Sequence, residues 1–129
     1  MNKKKLFISN LAWNHCDSDK ILNLLKTYNI NGIDFAPMKI KNKWQGIEIN
    51  LKKFLQKLNV LKFKINAIQG IFYKTNFNLI KSKKNKIYFH IKKILKISKI
   101  LNCNKIIIGS SDFRDIGNLS TSEADLIFV

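Results

Sequence analysis

Three times along this chain a short apolar run gives way to a segment with helical spacing, and a fourth apolar run then follows. Lys5 to Ser9 (KLFIS), Gly32 to Phe35 (GIDF), Phe63 to Gln69 (FKINAIQ) and Lys105 to Gly109 (KIIIG) read as strands. The last is a continuous β-branched run of the kind found in parallel sheets buried on both faces. Between the strands, Asp17 to Tyr28 places Ile21, Leu22, Leu24, Leu25 and Tyr28 three and four apart, with Asp17 or Ser18 as N-cap and Asn31-Gly32 closing the helix. A second stripe joins Ile47, Leu51, Phe54, Leu55 and Leu58, and a third, over Lys86 to Asn102, joins Ile87, Ile91, Ile94, Leu95, Ser98 and Leu101. Ala36-Pro37 stops the second strand, because proline has no amide to donate to a ladder. Met38 to Gly46 and Gly70 to Lys86 read as long loops, the latter ending in a solvated basic run, Lys81 to Lys86.

Strands joined through helices must pair in parallel, so the fold class is α/β. The expected architecture is a parallel (β/α) half-barrel of about four βα units, with residues 1–129 forming the N-terminal part of a TIM barrel. Ser120 and Glu123 fit a capping box, so a fourth helix starts there, and the apolar run Leu126 to Val129 implies truncation inside it. A complete barrel takes about 250 residues. Half of one leaves open strand edges, which implies self-association or pairing with a C-terminal half.

Composition narrows the function. A 46% hydrophobic content suffices for a core, and a net charge of +16 would ordinarily suggest nucleic acid. Of 24 basic residues, however, only Arg114 is arginine, and Lys, Asn, Ile and Phe crowd the chain in the manner of AT-rich codon usage. Nucleic-acid sites recruit the bidentate arginine fork, so this bias argues against such a partner. Cys16 and Cys103 form no CxxC pair and read as free thiols. The segment Met1 to Cys16 lacks the uninterrupted apolar core and cleavage site of a signal peptide, and no stretch is long enough to span a membrane. The expectation is a cytoplasmic protein with no membrane partner.

In a parallel barrel, chemistry gathers at the C-terminal ends of the strands. Asn10 follows the first strand, Asp34 ends the second ahead of Lys39, Gln69 ends the third, and Arg114 lies beyond the fourth. Each has a structural alternative: turn chemistry for Asn10, a cap or ion pair for Asp34, a satisfied polar group for Gln69, and a pair with Asp112 or Asp115 for Arg114. Their shared position favours a substrate rim. His90 falls on the inner stripe of the third helix, where it should pack against the sheet far from the rim; His15, in the first βα loop, can reach the rim.

The frames ISNLAW (Ile8 to Trp13), NGIDFAPMKI (Asn31 to Ile40), NAIQGIFY (Asn66 to Tyr73) and IIIGSSDFR (Ile106 to Arg114) together resemble the sugar phosphate isomerase/epimerase proteins of the xylose isomerase-like TIM-barrel superfamily. Asp34 stands where that family more often has Glu, Met38 replaces Thr, and Ser111 replaces Pro. The resemblance implies a sugar or sugar phosphate ligand. In complete homologues it implies a divalent metal that polarises carbonyl and hydroxyl oxygens while carboxylates move a proton through an enediolate. Asn10, Asp34, Lys39, Gln69 and Arg114 would contact substrate, with Asp34 as a helper in catalysis. The family's metal ligands come from later strands, so this chain is expected to hold no metal or cofactor and to be an inactive fragment. The alternatives are a non-catalytic remnant or split-gene product and, ranked below it, an endonuclease IV-like repair protein.

Overall fold

The computed structural model describes residues 6–41 and 43–128. It is a mixed α/β structure. β1 (Ile8–Ser9), α1 (Ser18–Thr27), β2 (Gly32–Phe35), α2 (Ile47–Val60), β3 (Lys64–Ile68), α3 (Lys84–Leu101) and α4 (Thr121–Phe128) follow in chain order. The strands form a three-stranded sheet, β1-β2-β3, parallel at both junctions. Ile8 lies opposite Ile33 and Ser9 opposite Asp34. Across the other junction Ile33 pairs with Ile65 and Asp34 with Ala67, so a bulge at Asn66 shifts the register by one.

Side chains alternate across a strand. Ile33, Phe35 and Ile68 therefore face the helices, where they join Leu22 of α1, Ile47, Leu51 and Leu58 of α2, and Ile94 and Ile97 of α3 in one buried core. The Phe35 ring stacks on Phe54 of α2 at 5.3 Å between centroids. Each such buried side chain contributes about 1.5–3 kcal/mol by leaving water. Gly32 opens β2 because the Phe7 ring occupies the space a Cβ would need.

Several boundaries differ from the sequence expectation. Lys5 lies outside the described residues, and β1 begins only at Ile8. It ends at Ser9 as expected, where the Ser9 hydroxyl accepts from the Leu11 amide at 3.0 Å and turns the chain into a 3-10 turn, Asn10–Ala12. Asn29, left-handed at φ 58°, lies just past the end of α1, ahead of Asn31-Gly32. A 3-10 turn, Pro37–Ile40, occupies the start of the expected loop at Met38, and Asn42 within that loop lies outside the described residues. β3 is trimmed at both ends to Lys64–Ile68, with Phe63 buried just ahead of it.

The largest correction concerns Lys105 to Gly109. Instead of a fourth strand there is one parallel bridge, Ile68 to Ile106, with the Ile68 amide donating to the Lys105 carbonyl and the Ile107 amide to the Ile68 carbonyl, each at 2.8 Å. Ile107 is 42% and Ile108 59% exposed. Burial on both faces, inferred from the β-branched run, is absent because nothing described pairs with the outer edge of this segment. After it, Phe113 of a 3-10 turn, Asp112–Arg114, stacks on Phe72 at 3.6 Å and anchors the chain to the loop after β3. α4 then starts at the expected capping box: the Ser120 amide donates to Glu123 Oε2 at 2.8 Å, and the Glu123 amide to Ser120 Oγ at 3.3 Å. Among the described residues no helix is long and apolar enough to cross a membrane.

Candidate functional site

The sheet face away from the helices carries polar side chains. The register puts Ser9, Asp34 and Ala67 on this face, and Gln69, two residues after Ala67, follows them. Gln69 ties the three strand ends together. Its amide donates to the Phe35 carbonyl at 2.8 Å, and its Nε2 donates to Ser9 Oγ and, at 3.5 Å, to the Asp34 carbonyl. Asn66 Nδ2 donates to Asp34 Oδ1 at 2.7 Å, and Lys105 Nζ donates to Asn66 Oδ1 at 3.3 Å. A chain of polar contacts thus runs from Lys105 through Asn66 to Asp34, with Gln69 and Ser9 beside it.

Asp34 Oδ2 and Gln69 Oε1 have no hydrogen-bond partner among the described residues, and neither is a buried orphan. Both are acceptors open to a ligand's hydroxyl protons. Lys39, half-buried in the turn that follows β2, makes no ion pair or side-chain hydrogen bond among the described residues. It adds a cationic donor to the same loop.

Asn10 is placed differently from the others. It is 3% exposed, its Nδ2 donates to the Ala36 carbonyl at 3.2 Å, and its Oδ1 accepts from the Ala36 amide at 2.7 Å. Both ends of the side-chain amide are used by the backbone of one residue, Ala36, so Asn10 fixes the exit of β2 against that of β1. Arg114 is exposed, with Nε 3.4 Å from the Ser110 carbonyl. Neither Asp112 nor Asp115 pairs with it among the described residues, and no hydrogen bond joins it to Asp34 or Gln69. Its loop is held instead by Asn78, whose Nδ2 donates to the carbonyls of Asp112, at 3.0 Å, and Asp115, at 2.8 Å.

His90 requires a correction. It is buried as expected, but it packs under the loop that leaves the C-terminal end of β3 rather than far from it: Nε2 lies 2.6 Å from the Ile71 carbonyl, and the rings of Trp44, Phe72 and Phe77 surround the imidazole. Desolvation lowers its pKa; the Ile71 carbonyl opposes that shift and Lys93 adds to it. His15 does not join the rim. It borders a hollow of 500 Å³ whose other walls include Asp19 of α1 and Asn50, Phe54 and Lys57 of α2.

Sequence reasoning missed Asn66. A polar residue inside an otherwise apolar strand was the available signal; the bulge that turns it toward Asp34 carries none. A wider concavity, of 940 Å³, lies at the N-terminal ends of the strands, bordered by Phe7, Tyr28, Lys62, Lys64 and Lys105, and Asn66 reaches it too.

Among the described residues no three His, Cys, Asp or Glu side chains gather in a way that could hold a metal ion. The divalent metal that the resemblance implies for complete homologues has no fitting ligand set among these residues. Comparisons with protein-family models, with curated proteins and with solved structures find no match for this chain.

Proposed function

We propose that this chain is the sugar-holding portion of a sugar (phosphate) isomerase/epimerase-like protein with a parallel β/α half-barrel plan, and that its rim binds ligand hydroxyls without turning them over. One observation carries the reading: the side-chain amide of Gln69, the residue after β3, donates to the backbone carbonyl of Asp34 in β2, and each of the two has a side-chain oxygen unused among the described residues on the same sheet face. Paired acceptors suit vicinal hydroxyls, which donate in two nearby directions. Lys39, and Arg114 on its separate loop, would complement a phosphate. The sequence frames quoted above support the same ligand class. Asp34 is the one carboxylate among the rim residues Asn10, Asp34, Lys39, Gln69 and Arg114, so a pair of carboxylates to move the proton is lacking among them.

The test is an NMR titration of the purified chain with a neutral ketose and with its phosphate. The Gln69 side-chain amide and the backbone amides of residues 34–39 should shift, Asp34→Asn should weaken both ligands, and Lys39→Ala should weaken the phosphate more than the neutral sugar. Absence of shifts at the rim up to roughly 10 mM ligand, well above a millimolar Kd, would overturn the reading.

A further inference from the structure

Between Glu48 and Asp112 the chain contains no acidic residue at all. The helix at the centre of that interval, α3, turns His90, Ile94, Ile97 and Leu101 into the core. Its opposite face follows from the 100° step per residue: Tyr88, Phe89, Lys92, Leu95, Lys96 and Lys99 form one exposed stripe. Tyr88 is 55%, Phe89 67% and Leu95 48% exposed. The two rings meet edge to face at 5.8 Å, and Lys92 Nζ sits 4.6 Å from the Tyr88 centroid. The first turn of α3 has no acidic residue, and Lys83, Lys84 and Lys86 are all exposed there. Helix N-termini carry partial positive charge, so these lysines oppose the helix dipole instead of complementing it. An anionic surface would remove that repulsion.

We propose that the outer face of α3 docks on an anionic lipid surface, with Tyr88, Phe89 and Leu95 entering the headgroup layer and the surrounding lysines facing acidic headgroups. The expectation of no membrane partner rests on the lack of a stretch long enough to span one, and such a contact needs only a shallow apolar stripe flanked by cations. Charge complementarity fixes the sign of the partner, and one feature selects lipid over single-stranded nucleic acid: Leu95 offers no face on which a base can stack, yet it adds apolar area to a helix lying on a membrane.

The experiment is sedimentation of the whole chain with vesicles of phosphatidylcholine alone or containing phosphatidylserine. Binding is expected only with phosphatidylserine and should be largely lost at high salt. Phe89→Ser with Tyr88→Ser, or Lys92→Glu with Lys96→Glu, should each weaken partitioning by about tenfold or more. Lys20→Glu with Lys26→Glu on α1 carries the same charge change and should have a far smaller effect; all six positions are exposed, and circular dichroism checks that each variant folds. Equal loss in the α1 variant would overturn the proposal in favour of bulk charge. So would binding to neutral vesicles, no binding to either kind, or displacement from vesicles by an oligouridylate whose own binding shows the same variant pattern.

Discussion

β2 and the segment Lys105 to Gly109 are both short, apolar and rich in isoleucine or phenylalanine, yet they end in opposite environments. Ile33 and Phe35 of β2 are fully buried, while Ile107 and Ile108 are largely exposed. The difference lies in their neighbours. β2 has β1 on one side and β3 on the other, whereas Lys105 to Gly109 meets β3 through a single bridge. Local β-propensity is the same kind of statement in both places; burial is decided by the neighbouring strands and by the helices packed on the face.

The sharpest way to break this contrast is to remove one side chain from each region. Phe35→Ala leaves a cavity facing Phe54 and should destabilise by about 3–5 kcal/mol, whereas Ile108→Ala should stay within about 0.5 kcal/mol. Urea denaturation of the two variants measures both. Comparable losses would mean that Lys105 to Gly109 is packed in solution as tightly as β2.

Asn10 sharpens the contrast from the polar side. Asn10→Ala leaves the buried Ala36 amide without its partner, while the Ala36 carbonyl keeps the Lys39 amide at 3.1 Å, a loss of about 1–3 kcal/mol. Asn10→Asp keeps the acceptor for the Ala36 amide but opposes the Ala36 carbonyl with a second oxygen, so it should not rescue. A urea midpoint equal to that of the parent chain in either variant would show that the β1–β2 exit is not held this way.

How much was legible follows from the same contrast. α2 was readable because period and burial coincide along one segment, whereas on α3 Leu95, expected on the inner stripe, is 48% exposed and Ile97 takes the core position instead. β2 was readable to the residue because glycine and proline bracket it. The fourth strand was misread because a β-branched run shows willingness to pair and says nothing about a partner. At the rim, Asp34 and Gln69 were chosen from their places at strand ends, and the structure sets the Gln69 side-chain amide 3.5 Å from the Asp34 backbone carbonyl. Asn10 was found as a residue but its bidentate grip on Ala36 depends on a neighbour 26 positions away. Arg114 was chosen for its place beyond the fourth apolar run and as the one arginine, and neither carries information about distance from the rim.

His90 joins the two regions, since it sits on α3 beneath the loop that later receives Phe113 through Phe72. Burial holds its pKa below the ordinary value, so the folded chain favours the neutral ring more than the unfolded chain does. Between the two pKa values the unfolded state binds more protons, and stability therefore rises with pH there. The contribution is complete above about pH 6.5 and is lost as the pH falls from that value toward the folded pKa. Urea midpoints measured from pH 7.5 to 5 should decline, and His90→Phe, which keeps a ring among Trp44, Phe72 and Phe77, should flatten the profile. An unchanged slope in that variant would assign the decline to other groups.

The smallest effect belongs to the start of α4, and its smallness is the test. Glu123 accepts from the Ser120 amide at 2.8 Å and from the Ser120 hydroxyl at 2.7 Å, and these bonds hold its pKa below the ordinary glutamate value. A depressed carboxylate pKa means that its contribution is present above the unfolded value and lost as the pH falls through the folded one. Ala124 is the buried side chain in residues 121–127, so the helix has little hold on the core and the loss should appear as local fraying. Hydrogen exchange read residue by residue should quicken across residues 121–127 in Glu123→Gln and in Ser120→Ala, while the global urea midpoint stays put. The double variant should quicken exchange little beyond either single one, because each side chain caps through the other. If instead either change shifted the global midpoint as far as Asn10→Ala does, α4 would have to be coupled to the sheet, and the division between a tightly paired first region and a loosely held last one would fail.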